Sequence, residues 1–317
     1  MQFLTKCYII VLWKKSKFFT KGKKFKETLG MQHIIVNPVS GKKRAAKNLQ
    51  KVEKLLQNAG VEYVTHITGA AGEAESVVRA LTEQGENDFI VLGGDGTLHE
   101  VLNGIAEPEK CRLGLIPSGT GNDFAEKLGL PLKVEDAMQR ILNGEAKSVD
   151  YLQVGDRRCM NVAGLGMDVD VLERCQRGKM RGKLKYFSSL LKSIFAFKGY
   201  AVIIEKDGVE EKYDALLAAV CNGSFFGGGI PICPCAEVDD GLMNVMIVDH
   251  IKGKLRLIKA LLTLMKGKMP QYKRTTHFLC EKIRFQPIVP CTVQLDGELY
   301  RNLSFDVQVK KGLKIYY

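Results

Sequence analysis

Leu92-Gly93-Gly94-Asp95-Gly96-Thr97 stands directly after the apolar run Asp88-Phe89-Ile90-Val91. It stands directly before Leu98, Val101, Leu102 and Ile105, which recur at helical spacing. The pattern is a strand that enters a helix through a corner of three glycines and one aspartate. Glycine lets the backbone turn sharply and lets a ligand approach the main chain. A helix start offers unpaired N–H groups and the positive end of the helix dipole, which suits a phosphate. Asp95 does not belong in a plain phosphate cradle, because its carboxylate repels one. A divalent metal or another cation between the two removes the conflict, so the stretch reads as a site for a metal-bound nucleotide. A tight turn ahead of a core helix would also produce it.

The flanking sequence repeats the arrangement. His33-Ile34-Ile35-Val36 is a short buried-type strand, Asn37-Pro38-Val39-Ser40-Gly41-Lys42 follows, and Ala45, Leu49, Val52, Leu55 and Leu56 then share one helical face. This loop does not fit the G-x-x-x-x-G-K-[ST] phosphate loop. Lys42, Lys43 and Arg44 at a helix start oppose the helix dipole, which makes sense if an anion sits there or if they form a solvated cluster. A strand over 61–67 closes at Thr68-Gly69, and a helix runs from Gly72 to about Glu83. Another strand, 112–116, enters Pro117-Ser118-Gly119-Thr120-Gly121-Asn122-Asp123-Phe124. Such alternation predicts a parallel sheet covered on both faces. Ligands bind such sheets at the carboxyl ends of the strands, so three loops can converge on one cleft.

After Asn143 the pattern changes to short strands separated by turn pairs such as Asp207-Gly208 and Asp240-Gly241. Strands are expected over 148–154, 158–162, 200–204, 214–220, 242–248, 282–285 and 292–295. This half reads as an antiparallel β-sandwich with two helical insertions. In 251–269, Ile251, Leu255, Ile258, Leu262, Met265 and Met269 form one apolar stripe, and eight basic residues and no acidic one lie between Lys252 and Arg274. In 173–192 seven basic residues face Glu173 alone, and Ile194, Phe195 and Phe197 follow. Basic amphipathic helices suit a membrane surface, although such stripes can also pack on the sandwich. No aromatic residues interleave with the charges as single-stranded nucleic acid would require.

Charge and cysteine usage narrow the setting. The net charge is +12, and residues 1–30 hold eight lysines against one glutamate. That segment is expected to be either a membrane-surface tail or, preferably, a stretch ahead of a natural start at Met31. Nine cysteines without a C-x-x-C suggest reduced thiols in a cytoplasmic protein. Cys233-Pro234-Cys235 could bind a metal, but no second pair has ligand spacing. No run reaches the ~18 apolar residues that span a bilayer, and no cleavage pattern marks a signal peptide.

The loops Asn37-Pro38-x-x-Gly41, Gly93 to Thr97 and Pro117 to Phe124, with Leu295-Asp296-Gly297-Glu298 far along the chain, resemble the diacylglycerol kinase catalytic-domain family. The resemblance is specifically to its soluble bacterial lipid kinases, relatives of sphingosine and ceramide kinases. The resemblance covers about 31–317. It implies an α/β ATP-binding domain over 31–143, similar to NAD kinases and phosphofructokinases, and a β-sandwich lipid-substrate domain over 144–304. A last strand near 305–317 would return to the first domain. It implies ATP contacts at Asn37, Pro38, Gly41, Thr68, Gly93, Gly94, Asp95, Gly96, Thr97 and Thr120, to which Lys42 can add charge. It implies that Glu298 accepts the substrate hydroxyl proton and that Asp123, with Asp95, serves activity and the Mg2+ network. A second, structural Mg2+ would take the Asp240 carboxylate and the backbone oxygens of Glu237 and Leu242.

These readings together describe an ATP- and Mg2+-dependent kinase that converts diacylglycerol to phosphatidic acid. It would work at the inner face of the membrane through the basic helices 173–197 and 251–274, without nucleic acid, and a homodimer is compatible with it. Another lipid alcohol (phosphatidylglycerol, undecaprenol or a sphingoid base) would keep the same mechanism. The basic helices disfavour NAD as acceptor, and three retained acids, Asp95, Asp123 and Glu298, disfavour a silent lipid-binding regulator.

Overall fold

The computed structural model describes residues 29–177, 183–196, 199–289 and 291–317. The basic extension up to residue 28, and Phe197, lie outside the described residues. From β1 (Gln32–Val36) the chain runs through α1 (Ser40–Ala59), β2 (Tyr63–Ile67), α2 (Glu73–Glu83) and β3 (Asp88–Gly93). It continues through α3 (Asp95–Gly104), β4 (Arg112–Pro117), α4 (Asp123–Lys127) and α5 (Val134–Asn143). The strands pair in parallel in the order β2-β1-β3-β4. β1 is apolar over consecutive residues because both its faces are covered, as in the centre of a parallel sheet. Ile34 and Val36 pack with Ala45, Val52 and Leu56 of α1 and Met138 and Ile141 of α5. Ile35, one residue out of phase, packs on the other face with Val78 of α2 and Leu98 and Leu102 of α3.

The second half continues through β5 (Ala146–Val154), β6 (Arg157–Cys159), β7 (Val162–Gly166), α6 (Met167–Arg177), α7 (Lys183–Ala196), β8 (Tyr200–Lys206) and β9 (Val209–Cys221). A short hairpin of β10 (Phe225–Phe226) and β11 (Ile230–Pro231) follows, then β12 (Met243–Asp249), α8 (Lys254–Met265), β13 (Thr275–Cys280) and β14 (Lys282–Pro287). The chain ends with β15 (Thr292–Leu295), β16 (Glu298–Arg301) and β17 (Phe305–Tyr316). β9 serves two layers. Residues 209–215 pair with β8, and residues 217–221 pair with both β7 and β12, all antiparallel. Leu165, Val220, Val245, Ile283, Phe285 and Val307 fill the space between the layers. An α/β half with a parallel sheet is thus followed by an antiparallel β-sandwich, as the sequence led us to expect.

β17 joins the halves. Phe305, Val307 and Val309 sit in the sandwich core, whereas Leu313 and Ile315 sit in the core of the α/β half. Its end pairs in parallel with β4, its start pairs with β14, and β5 accompanies it antiparallel.

Three local features differ from the sequence reading. The single strand expected over 158–162 is two, β6 and β7, because the amides between them turn onto a buried carboxylate. β13 carries no strong alternation and was not anticipated. The basic stretch at 173–192 is divided between α6 and α7, and its charge is partly neutralised within α6, where Arg174 pairs with Asp170 at 2.7 Å and Arg177 with Glu173 at 3.4 Å.

The carboxylate at that strand break is Asp296, at the turn between β15 and β16. It accepts hydrogen bonds from the amides of Met160 (2.8 Å), Asn161 (2.7 Å) and Val162 (3.3 Å), and from Cys159 Sγ (3.1 Å). His99 of α3 donates to it through Nδ1 at 3.0 Å. Burial works to raise the Asp296 pKa, but the His99 hydrogen bond and charge, with the Met160 amide and Cys159 thiol bonds, together outweigh it and hold the group below the usual carboxylate range. Asp296→Asn keeps one carbonyl but places an NH2 against buried donors. We expect it to cost about 3–5 kcal/mol in urea unfolding. A cost under ~1 kcal/mol would show that this contact does not hold the halves together.

Candidate active site between the glycine loops and the β15–β16 hairpin

The loops after β1, β2, β3 and β4 open on one edge of the parallel sheet, where the N-termini of the following helices also lie. Two of them touch backbone to backbone. A Cβ on Gly119 would stand 2.5 Å from Gly94 Cα, so no larger residue fits without moving a loop. Asn122 braces the second loop, with its Oδ1 accepting from Gly119 N at 2.8 Å. These contacts leave a cavity of about 440 Å³. Of the residues expected from the sequence, Asn37, Gly41, Thr68, Gly94, Asp95, Gly96, Thr97, Thr120 and Glu298 line it. Gly93 lies behind it at the end of β3, against the Thr97 side chain. Pro38 and Lys42 are not part of its wall. Gly41, Lys42 and Lys43 are consecutively left-handed (φ 58, 60 and 69), and the Lys42 side chain is exposed.

Asp95 also forms part of the wall of a second, smaller cavity of about 170 Å³. Leu98, Phe124, Met160, Val162 and Phe226 give this one an apolar lining, with Asp123 and Asp168 among them. The β15–β16 turn straddles the two spaces, because Asp296 and Gly297 face the apolar cavity while Glu298 faces the polar one. Asp296 and Gly297 both have positive φ (52 and 92), the geometry of a tight two-residue hairpin turn.

Asp95 Oδ2 accepts from Asn122 N at 2.7 Å, and Asp123 Oδ2 accepts from Gly228 N at 2.9 Å. Both carboxylates flank Gly121. A Cβ there would stand 2.7 Å from Asp95 Oδ2 and 3.8 Å from Asp123 Cγ. Burial and then the Asp123 charge push Asp95 up to about 6. Two carboxylates facing one buried space are a donor set that a hard divalent cation fits, since it would offset both the burial and the repulsion. Burial also raises Glu298, helped by the Glu100 and Asp296 charges, which makes it a better proton acceptor than an ordinary surface glutamate.

Glu237, Asp240 and Leu242 lie on one turn that borders neither cavity. Asp240 Oδ1 accepts from Leu242 N at 2.9 Å, and Asp150 Oδ2 accepts from Gly241 N at 2.6 Å. The Lys311 ammonium packs against Gly241. The turn offers one carboxylate and main-chain oxygens, and a cationic side chain already lies beside it.

Sequence reasoning missed several residues here. His99 Nε2 lies 2.6 Å from the Tyr300 hydroxyl, and Arg157 Nη2 donates to that hydroxyl at 3.2 Å. Arg157 in turn binds Glu75 of α2 through two hydrogen bonds, at 2.9 and 2.6 Å. This chain ties α2 and α3 to the hairpin that bears Glu298. Glu100 lines the polar cavity, and Asp168 lies in the apolar one with its carboxyl pushed up to about 7 by burial. His99 and Glu100 directly follow the glycine corner, which was the available signal. Asp168 and Tyr300 carried none.

Comparison with known proteins gives this geometry a family. Residues 32–154 match the model of the diacylglycerol kinase catalytic domain, and residues 161–314 match the YegS C-terminal NAD kinase beta sandwich-like domain. The chain is 30% identical over 272 residues to a diacylglycerol kinase of Bacillus subtilis (strain 168), covering 84% of this chain and 88% of that protein. It is 30% identical over 278 residues to a probable lipid kinase YegS-like of Yersinia enterocolitica, covering 86% and 92%. A crystal structure of a diacylglycerol kinase from Bacillus anthracis superposes with a TM-score of 0.72 at 26% identity, covering 91% of this chain and 96% of that one. With both halves matched in order and nearly the whole relative covered, the chain belongs to the diacylglycerol kinase family and is a lipid kinase.

Proposed function

We propose that the enzyme transfers the γ-phosphate of ATP, with Mg2+, to the free hydroxyl of diacylglycerol to give phosphatidic acid. The observation that carries this reading is the pair of cavities that share Asp95. One is polar and built from glycine-loop amides, and the other is apolar. A nucleotide in the first and a lipid alcohol in the second would meet where Asp95, Asp123 and the hairpin converge. The names of the relatives support diacylglycerol as the alcohol.

Phosphoryl transfer depends mostly on positioning and charge neutralisation. The amides around Gly94 and Gly119 hold phosphate oxygens, while Asp95 and Asp123 would hold Mg2+, which supplies neutralising charge when bound. Glu298 takes the hydroxyl proton as the alcohol oxygen bonds to phosphorus and ADP leaves.

The membrane reading rests on α8. Leu255 is 84% exposed and Leu262 55% exposed, and Ile258 and Met265 share their outward face. Ala260 and Leu264 form the inward face, while Ile251 and Met269 at the ends of the stripe are buried. Lys252, Lys254, Arg256, Lys259 and Lys266 are exposed around the outward face. An exposed apolar stripe edged with lysine suits insertion among anionic lipids, each basic residue adding up to about 1 kcal/mol. Among the described residues no helix is long and apolar enough to cross a membrane. We propose that the enzyme attaches through α8 to the cytoplasmic face, the side on which ATP is supplied.

Three outcomes follow from this reading. With labelled ATP and Mg2+, diacylglycerol in anionic mixed micelles should be labelled well above phosphatidylglycerol, undecaprenol, a sphingoid base or NAD. Preferential labelling of another acceptor would replace the substrate. Glu298→Gln should lower turnover by at least ~10²-fold with ATP affinity nearly unchanged, and should remove the rise of kcat/KM with pH that Glu298 ionisation causes. Leu255→Glu with Leu262→Glu should lower binding to anionic vesicles by at least ~10-fold, while activity on a dispersed short-chain lipid persists.

The metal assignment predicts a pH dependence of stability. Without metal, the raised Asp95 pKa favours the protonated folded state. The stability this contributes is full below the ordinary value of 3.8 and is lost as pH rises through about 6. Melting temperatures in chelator should show that fall. Mg2+ or Asp95→Asn should reduce it, and an unchanged slope with Mg2+ would remove Asp95 from the metal site.

A further inference from the structure

The Cys-Pro-Cys motif, for which the sequence offers no partner, finds one across the fold. Cys233 Sγ and Cys235 Sγ lie 3.5 Å apart, and a ring nitrogen of His277 joins them, with all three ligand atoms within 4.8 Å of one another. The two cysteines follow β11, whereas His277 comes from β13, opposite Met246 of β12. Asn244 Oδ1, in the same cluster, is 2.9 Å from His277 Nε2 and 3.8 Å from Cys235 Sγ. Cys221, fully buried at the end of β9, hydrogen-bonds to Cys233.

We propose that Cys233, Cys235 and His277 form a binding site for a zinc ion that staples the loop between β9 and β12 to the sandwich. The donor set is sulfur and nitrogen, which selects zinc and softer transition metals over magnesium and separates this site from the oxygen donors around Asp240. Binding replaces the two thiol protons with one Zn2+, so two protons are released and the two thiolates balance the ion's charge. Cysteine binds zinc as thiolate and histidine as the neutral ring, so binding strengthens as pH rises. Asn244 supplies the neighbouring polar contact that such ligands commonly use for orientation. With three protein ligands, water would take the fourth place of a tetrahedral site.

The location gives the ion a structural task. The same loop carries Gly228, whose amide donates to Asp123 at 2.9 Å, and it leads into the Asp240 turn. Pro234 packs against Gly267 just beyond α8. A metal at the Cys-Pro-Cys bend would fix the loop between the active-site carboxylate and the helix proposed to meet the membrane.

The test uses the full chain, purified under reducing conditions, loaded with zinc, desalted and assayed for metal by mass spectrometry. A parallel Co2+ sample would report sulfur coordination through its thiolate charge-transfer band. We expect one zinc per chain, a thiolate band, and a melting temperature raised by zinc. Cys235→Ser and His277→Gln, neither of them fully buried, should each weaken zinc binding by at least ~10-fold and abolish the zinc-dependent rise in melting temperature. Cys291→Ser, outside the cluster, should change neither. Substoichiometric zinc in the wild type, equal zinc affinity in the cluster variants, or a Cys233–Cys235 disulfide persisting in reductant would each overturn the proposal.

Discussion

The buried carboxylate of Asp296 holds the candidate active site in one geometry. It gathers the amides of residues 160–162, breaks what would otherwise be one strand into β6 and β7, and anchors the hairpin that carries Glu298. Its bond to His99 joins that hairpin to α3, the helix that starts in the glycine corner. The glycine loops and Glu298, proposed as the nucleotide site and the proton acceptor, therefore come from opposite ends of the chain but share one support. A charge this deeply buried is tolerated only because each of its oxygens is supplied with donors. The same desolvation raises Asp95, where two amide hydrogen bonds do not offset it and the Asp123 charge adds to it, so this group is pushed up to about 6. The first carboxylate is kept ionised by protein groups, whereas the second is not, which is why it is the one proposed to hold a cation.

The framework around this support makes relative motion of the halves costly. β17 contributes core residues to both, and β5 pairs with it on either side of a register shift between Lys310 and Leu313, so separating the α/β sheet from the sandwich would break ladder hydrogen bonds of both. The two cavities then keep a fixed relation, with Asp95 in the wall of each. For a transfer reaction that relies on placement rather than covalent chemistry, such rigidity is itself a catalytic asset.

The glycine loops and the parallel sheet were legible because their signals are local. Three strand–glycine–helix corners each announce themselves within a dozen residues, and the phase of Ile34, Ile35 and Val36 needs only a two-sided sheet. The position of Glu298 beside the glycine loops was expected only through the likeness of its motif. His99, Tyr300, Arg157 and Asp168 were not, because each matters through a partner far away in sequence, up to 201 residues for His99 and Tyr300. The break at residues 160–161 was invisible for the same reason, since alternation cannot report a carboxylate that arrives from residue 296. The apolar stripe of α8 was visible, but sequence alone could not say that Leu255 and Leu262 face outward. His277 likewise could not be matched to Cys233 and Cys235 until β12 and β13 paired.

The central claim is that the cleft between the glycine loops and the hairpin holds the nucleotide with its reacting phosphate at the acidic junction. A crystal structure with a non-hydrolysable ATP analogue and Mg2+ tests it most directly. The account predicts the triphosphate along the amides near Gly94 and Gly119, with the terminal phosphate directed toward Asp95 and Glu298. A nucleotide bound elsewhere, or one whose phosphates point away from these acids, would contradict it.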